Sequence, residues 1–392
     1  MNAFGHDMLA HWMLDPDILY LNHGTVGATP RRVLAAQQAI RDEIERQPAR
    51  FMIRELADVR QIRMRARPRM RVAADTVAAF LGARGDDLAF VDNATTGINA
   101  VLRSLEFAAG DEILLTDHGY GAVRHVCDHV TRRAGANVRV VDLPMPRVEP
   151  GAVVEAIAAA LTSRTKLVII DHITSWSALV LPVAEIVARC HAAGVPVLVD
   201  GAHAPGALAL DLPALGADWY TGNLHKWAMA PRSSGILWAP PERRAGLHPA
   251  VISWGYELGF DAEFDMTGTR DPSPWLAAPE GIAFMNDLGL DAMRAYDHAI
   301  AWDAACSLTS RWGTTPLCSE EMIGTMATLP LPERFGTTGE HATRLKDLLL
   351  DEDRIEAHVL AFAGRVWLRI CGQVYNDASD IERLARAIES HA

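Results

Sequence analysis

Cysteine is scarce in this chain of 392 residues: Cys127, Cys190, Cys306, Cys318 and Cys371 are widely spread and form no CxxC pair. That spacing excludes a zinc knuckle or a paired redox motif, and the odd count fits a reducing compartment, the cytoplasm. Positive charge is in deficit, with 37 Lys and Arg against 49 Asp and Glu and a formal net charge of -12. Without surplus cations to neutralise backbone phosphates, nucleic acid is not an expected partner. No uninterrupted apolar run approaches bilayer length, so no membrane partner is expected. The opening MNAFGHDMLAHWMLDPD has early acidic residues in place of a basic start and an apolar stretch, and no signal peptide is expected. Internal repeats and low-complexity tracts are missing as well.

What is present is apolar content, 49% of residues, enough to fill a large domain and a smaller one. Residues 31 to 81 read as helix, from the three- and four-residue apolar spacing of RRVLAAQQAIRDEIERQ to ADTVAAFLG with its terminal glycine. Six apolar runs then alternate with helical ones: DDLAFVDNA, DEILLTDHG, ANVRVVDLP, TKLVIIDHI, VPVLVDGAH and SGILWAP, with GAVVEAIAAALTS and LPVAEIVARCHAAG between them. Strand and helix in alternation predict an α/β domain with a mostly parallel sheet. Beyond about residue 275 the pattern changes to a long helical stretch, APEGIAFMNDLGLDAMRAYDHAIAWDAACSLTSRW, then the strands MATLPLP and VWLRICGQVYN and a terminal helix DIERLARAIES. The expected organisation is an N-terminal segment (1–20), a large α/β domain (21–275) and a small α+β domain (276–392), with RDPSPW (270–275) as the turn between the last two.

Ligands in open parallel sheets bind beyond the carboxyl ends of strands, and the residues there are chemically rich. NATTGIN follows a strand and opens a helix, so Thr95 and Thr96 either cradle a phosphate on free N–H groups or cap the helix. Asp200 ends a strongly apolar strand, where a carboxylate requires either a cation such as a protonated ring nitrogen, with His203 near the same ring, or several turn amides. Lys226, between a histidine and a tryptophan in GNLHKW, is either an exposed loop lysine or a desolvated amine suited to reaction with an aldehyde. Phosphate cradle, ring-nitrogen acid and imine-forming lysine together are the parts of a pyridoxal phosphate site.

These segments, in order and spacing, resemble the class V aminotransferase-like group of fold-type I pyridoxal phosphate enzymes, and within it the isopenicillin N epimerase-like branch. The resemblance runs from about Leu21 to Asn376 and rests on YLNHGTVGATP, NATTGIN, TDHGYGAV, DHITS, VDGAHAPG, GNLHKW, GTRDPSPW, MATLPLP and LRICGQVYN. It implies the fold-type I transferase fold, a large domain with a seven-stranded, mostly parallel sheet plus a smaller α+β domain. By the same resemblance Lys226 is the Schiff-base lysine, Asp200 the acid paired with the pyridine nitrogen, and His203 the neighbour of the ring and its phenolic oxygen. Thr95, Thr96 and His225 match phosphate contacts, and Thr269 matches a position that reaches the phosphate of a neighbouring subunit, which implies a homodimer. Tyr120 or His118 stacks on the ring; Gly119 stands where a glutamate is common, and Ser175 where more distant relatives carry asparagine, with bulky Trp176 beside it. Asn22 and His23 match a segment entering near the substrate, Arg369 matches the arginine that binds an α-carboxylate, and Arg270 is a second carboxylate candidate.

The implied substrate is a small molecule, an amino acid whose α-proton becomes labile on the cofactor. Reprotonation on the opposite face gives epimerisation, for which Lys226 and one of Tyr120, His118 or His23 supply the two proton carriers. The alternative outcomes are C–S lysis of a cysteine conjugate or cysteine desulfurase-like chemistry, and, further off, transamination. A desulfurase needs a mobile nucleophilic cysteine, whereas Cys371 falls in a predicted strand.

Overall fold

The computed structural model describes residues 4–58 and 66–391. Seven strands form the main sheet: β1 (Leu88–Val91), β2 (Glu112–Thr116), β3 (Asn137–Val141), β4 (Thr165–Asp171), β5 (Val197–Gly201), β6 (Trp219–Asn223) and β7 (Gly235–Trp238). Their order is β1-β7-β6-β5-β4-β2-β3, with only the pairings of β7 antiparallel. The six expected runs are all strands. β6 was missed because WYTGN reads as a turn-prone stretch, with Thr, Gly and Asn where an apolar run is looked for.

Alternation decides which side of the sheet each residue serves. Leu114, Val168, Ile170, Val197 and Val199 join the core on one face, and Ile113, Leu115, Leu167, Ile169 and Leu198 that on the other. Both faces are covered by helices, which is why the central strands read as continuous apolar runs. The helices include α1 (Arg31–Arg46), α2 (Arg69–Phe80), α3 (Ala94–Ser104), α4 (Gly121–Ala134), α5 (Pro150–Ala160) and α6 (Val183–Ala192). The expected helix over 31–81 is therefore broken, α1 giving way to a π-helical turn at Phe51–Glu55 before α2, and residues 59–65 lie outside the described residues.

The later part begins with α7 (Ala278–Leu288) and α8 (Leu290–Trp312), split by Gly289, whose φ of 88° lies in the region that favours glycine. A three-stranded antiparallel sheet follows, β8 (Met326–Pro330), β9 (His358–Phe362) and β10 (Arg365–Cys371) in the order β9-β10-β8, with α9 (Gly339–Asp351) and α10 (Ala378–Ser390). Leu19 and Tyr20 pair in parallel with Ile355 and Glu356, and Cys371 N donates to Leu21 O at 3.1 Å. The N-terminal segment is thereby bound to β10 of the small sheet just before the chain turns into α1. In RDPSPW, Ser273–Leu276 form one helical turn, and Trp275 stacks on Phe90 and donates to Val91 O at 3.0 Å. Among the described residues no helix is long and apolar enough to cross a membrane.

One buried ion pair fastens α2 to the segment after β7. Arg71 Nε donates to Asp265 Oδ2 at 2.8 Å, and its Nη1 donates to the Leu88 carbonyl at 2.9 Å. Burial pushes the Asp265 carboxyl up to about 6 against the pull of Arg71, so the acid depends on this partner. Arg71→Met is expected to destabilise the fold by about 3–5 kcal/mol, because an uncompensated buried carboxylate remains. Adding Asp265→Leu should restore most of the loss; denaturant melts of the single and double variants that differ little from one another would contradict this account.

Candidate active site

The carboxyl ends of β2, β4 and β5 converge on a cavity of about 200 Å3 lined by Leu115, Ile169, Asp171, Asp200, Tyr120 and Trp176, among others. Lys226 follows β6, and its Nζ lies 3.0 Å from His203 Nε2. Burial and the Arg369 cation lower the amine to about 8, with Asp200 pulling the other way. The chain has lysine only at Lys166, Lys226 and Lys346. With Lys226 donating to His203 Nε2, the proton of His203 sits on Nδ1, which is buried and has no partner. Asp200 accepts the Ala202 N–H at 3.0 Å, and burial raises its carboxyl to about 6, opposed by that N–H and by Lys226. Both readings of Asp200 thus hold a part of the geometry: a turn amide on one oxygen, and a cavity in front.

At the start of α3 the Asn93 side chain caps the helix by accepting Thr96 N at 2.9 Å, and Ala94 N donates to Asn223 Oδ1 at 2.8 Å. Thr95 and Thr96 are half-buried at that terminus. His225 is held by its Nδ1 at 3.0 Å from Ser234 O, and burial lowers it to about 4. An anion on its Nε2 side would raise it again. Thr269 is exposed.

Tyr120 lines the cavity and is 44% exposed, whereas His118 is buried, its Nδ1 2.7 Å from Ser177 Oγ and its imidazole kept neutral by burial. Of the two stacking candidates, the structure brings Tyr120 to the cavity wall. His23 is fully buried with both nitrogens engaged, Nδ1 with Tyr375 OH at 2.9 Å and Nε2 with the Lys226 carbonyl at 3.0 Å, and burial lowers it to about 4. Its placement therefore corrects the expectation of a substrate contact or proton carrier: it braces the Lys226 backbone.

Arg369 is 2% exposed, its guanidinium donating to Ser175 O at 2.5 Å, Asn22 Oδ1 at 3.1 Å and Thr25 Oγ1 at 2.7 Å, while its buried Nε has no partner. Asn22 in turn donates to Glu356 Oε1 at 2.8 Å. Thr328, the register partner of Arg369 on β8, donates to Trp176 O at 2.8 Å, so the small sheet clasps the DHITS segment through two carbonyls. Arg270 pairs with Asp92 at 3.0 Å and lies over Trp275, 4.1 Å from its ring centre, and is committed there. Asp171 went without a role in the sequence reading, although TKLVIID and VPVLVD both end an apolar run in aspartate.

The sequence profile of the aminotransferase class V family matches residues 19–331. The chain belongs to that family. It is 35% identical to isopenicillin N epimerase of Streptomyces clavuligerus over 96% of each chain. It is 32% identical to a probable chloroplastic L-cysteine desulfhydrase of Arabidopsis thaliana, over 95% of this chain and 83% of that one. Among solved structures, the cystine C-S lyase C-DES in complex with cysteine persulfide superposes with a TM-score of 0.80 at 21% identity, covering 98% of both chains. The resemblance in the motifs and the mostly parallel seven-stranded sheet agree with these relatives, and the protein is an enzyme of a family whose cofactor is pyridoxal phosphate. The site fits that cofactor on its own evidence: a lysine amine lowered to about 8, an orphaned His203 Nδ1, and an acid facing a cavity beside an aromatic ring.

Because burial lowers the amine, the neutral form of Lys226 grows in as pH rises through about 8 instead of the 10.5 of an ordinary lysine. Covalent capture of added pyridoxal phosphate by cofactor-free protein should accelerate with pH and reach half its limit near pH 8. Borohydride fixation should mark the peptide of Lys226 and neither Lys166 nor Lys346. A midpoint near 10.5, or label on another lysine, would break the assignment.

Proposed function

We propose that this protein is a pyridoxal phosphate enzyme that epimerises or racemises an amino acid at its α-carbon, as an isopenicillin N epimerase-like member of its family. The observation that carries the reading is the neutralisable Lys226 amine beyond β6, bonded to His203 and within electrostatic reach of Asp200, which lines the cavity. When bound, pyridoxal phosphate supplies an electron-accepting ring that makes the α-proton of an attached amino acid acidic. Lys226 would hold the cofactor through its Nζ amine, and the same amine would serve as the proton carrier on one face of the substrate. Asp200 answers the ring nitrogen with opposite charge, and His203 Nδ1 has the free proton for an oxygen on the same ring. Thr95, Thr96 and His225 take the phosphate, with Thr269 reaching across from a second copy in a cytoplasmic homodimer. Ser175 belongs to the same cofactor wall, and Arg369, oriented by Asn22, takes the substrate carboxylate on its planar fork. The two-domain division at residue 275 sets this arginine on the small domain and the lysine on the large one.

Inversion needs a second proton carrier on the other face. His118 and His23 have their nitrogens occupied or buried, which leaves Tyr120, whose hydroxyl group stands at the cavity. A second reading, C–S lysis of a cysteine conjugate, is favoured by the likeness to the L-cysteine desulfhydrase. A persulfide route is disfavoured: no cysteine lines the cavity, Cys318 is buried, and Cys371 is buried in β10. Transamination stands behind both.

The reaction is decided by offering a panel of amino acids and cysteine conjugates in deuterated water, with NMR and chiral chromatography as readouts. Deuterium at the α-carbon with appearance of the opposite configuration is the expected outcome. Tyr120→Phe should then lower inversion by roughly 10²–10⁴-fold while α-deuteration of one enantiomer continues at the Lys226 face. Release of pyruvate, ammonia and a thiol without inversion would replace this reading with the lyase.

A further inference from the structure

Beside Asp200 stands a second buried acid. Asp171 closes β4, and it is the register partner of Asp200 across the parallel β4–β5 pair. Paired positions on adjacent strands carry their side chains to the same face, and the parity of Ile169 and Leu198, both in one core, places Asp171 and Asp200 on that side. Both line the same cavity, and they are 6% and 3% exposed. The loop after β2 closes over Asp171: a Cβ on Gly119 would lie 3.8 Å from its Oδ2, and Thr116 Oγ1 is buried there without a partner. The ionisable groups around the acid and its cavity are Asp200 from β5, Lys226 from beyond β6, Asp117 and Tyr120 from beyond β2, and Arg124 from α4.

Two carboxylates side by side in a low-dielectric wall do not both stay ionised; one proton is kept. Which acid keeps it follows from their donors. Asp200 has the Ala202 N–H at 3.0 Å, while the backbone help to Asp171 comes from its own residue alone. Burial and the charge of Asp200 push the Asp171 carboxyl well above the ordinary carboxylate range.

We propose that Asp171 is the protonated member of an acid pair and that its carboxyl O–H holds Asp200 ionised toward the cofactor's ring nitrogen. It is a positioning residue, acting through Asp200, and the inference rests on the cofactor reading above. The pair explains why the wall can offer a full negative charge to the ring while containing two acids. It also keeps that charge fixed when Lys226, a cation acting on both acids, gives up its proton.

Infrared spectroscopy of the holoenzyme at pH 8 tests it through the C=O stretch of protonated carboxyl groups. Asp297 on α8 is another buried acid, pushed well up by burial and with an unpartnered Oδ1, so Asp297→Asn first assigns any band of its own. Asp171→Asn should remove a separate carboxyl band yet bind pyridoxal phosphate within a few-fold of wild type, because the amide still donates to Asp200. Asp171→Leu, which has no donor, should weaken cofactor binding by about 10- to 100-fold, the loss of one hydrogen bond to a charged group. A spectrum unchanged by Asp171→Asn, or wild-type affinity in a folded Asp171→Leu, overturns the proposal. A wild-type protein with no near-visible cofactor band would instead defeat the cofactor reading, while the carboxyl band lost in Asp171→Asn would still report the acid pair.

Discussion

The site depends on desolvation of one amine. Lys226 is useful only if it can be neutral near physiological pH, and a lysine in water is not. Burial at the end of β6 lowers it, the Arg369 cation adds to the effect, and His203 gives it a hydrogen bond that does not require charge. The rest of the arrangement serves that position. His23 grips the Lys226 carbonyl and rests on Trp227 at 5.0 Å between ring centres, so the backbone under the amine is fixed from the N-terminal segment. Gly201 matters for the same reason: a Cβ there would lie 2.2 Å from the Tyr220 hydroxyl, in the strand that leads to the lysine.

Electrostatic balance in this wall is achieved with few charges. Asp171 and Asp200 confront Lys226 in a pocket where each ion alone would be costly. Tyr220 and His172 bond to each other at 2.9 Å just behind and remain neutral, His172 lowered to about 4 by burial. Charge is thereby confined to the atoms that face the cavity. Arg369 follows the same logic from the small sheet, its donors shared among Asn22, Thr25 and the Ser175 carbonyl. Those bonds join the Asn22–Thr25 segment, the loop after β4 and β10, and they couple the position of the guanidinium to that of the loop.

Much of this was legible in the chain. Apolar runs that end in Asp, His or Asn announce buried parallel strands with polar termini, since a strand covered on both faces has nowhere else to place such groups. Lys226 stood out because GNLHKW follows Asp200 and NATTGIN in the order a cofactor site requires. Yet β6, the strand that presents the lysine, was invisible: WYTGN forms a strand because its neighbours β5 and β7 supply both ladders, a tertiary cause that local propensity does not record. The hairpin strand β9 escaped for a similar reason, being defined by its pairing with β10.

The sequence by itself determined the family and the alternating α/β order, and it singled out Lys226 and Asp200 as candidates, because those follow from period, spacing and residue chemistry. Only the tertiary structure decided which side chains meet. His23, His118 and Tyr120 were equivalent as letters, but burial and hydrogen bonding made the first two fixed struts and left the third at the cavity. Asp171 and Asp200 are 29 positions apart in sequence and become partners through strand register. Proton affinities, and with them the division of roles, arise from distances and desolvation that exist only once the sheet has closed.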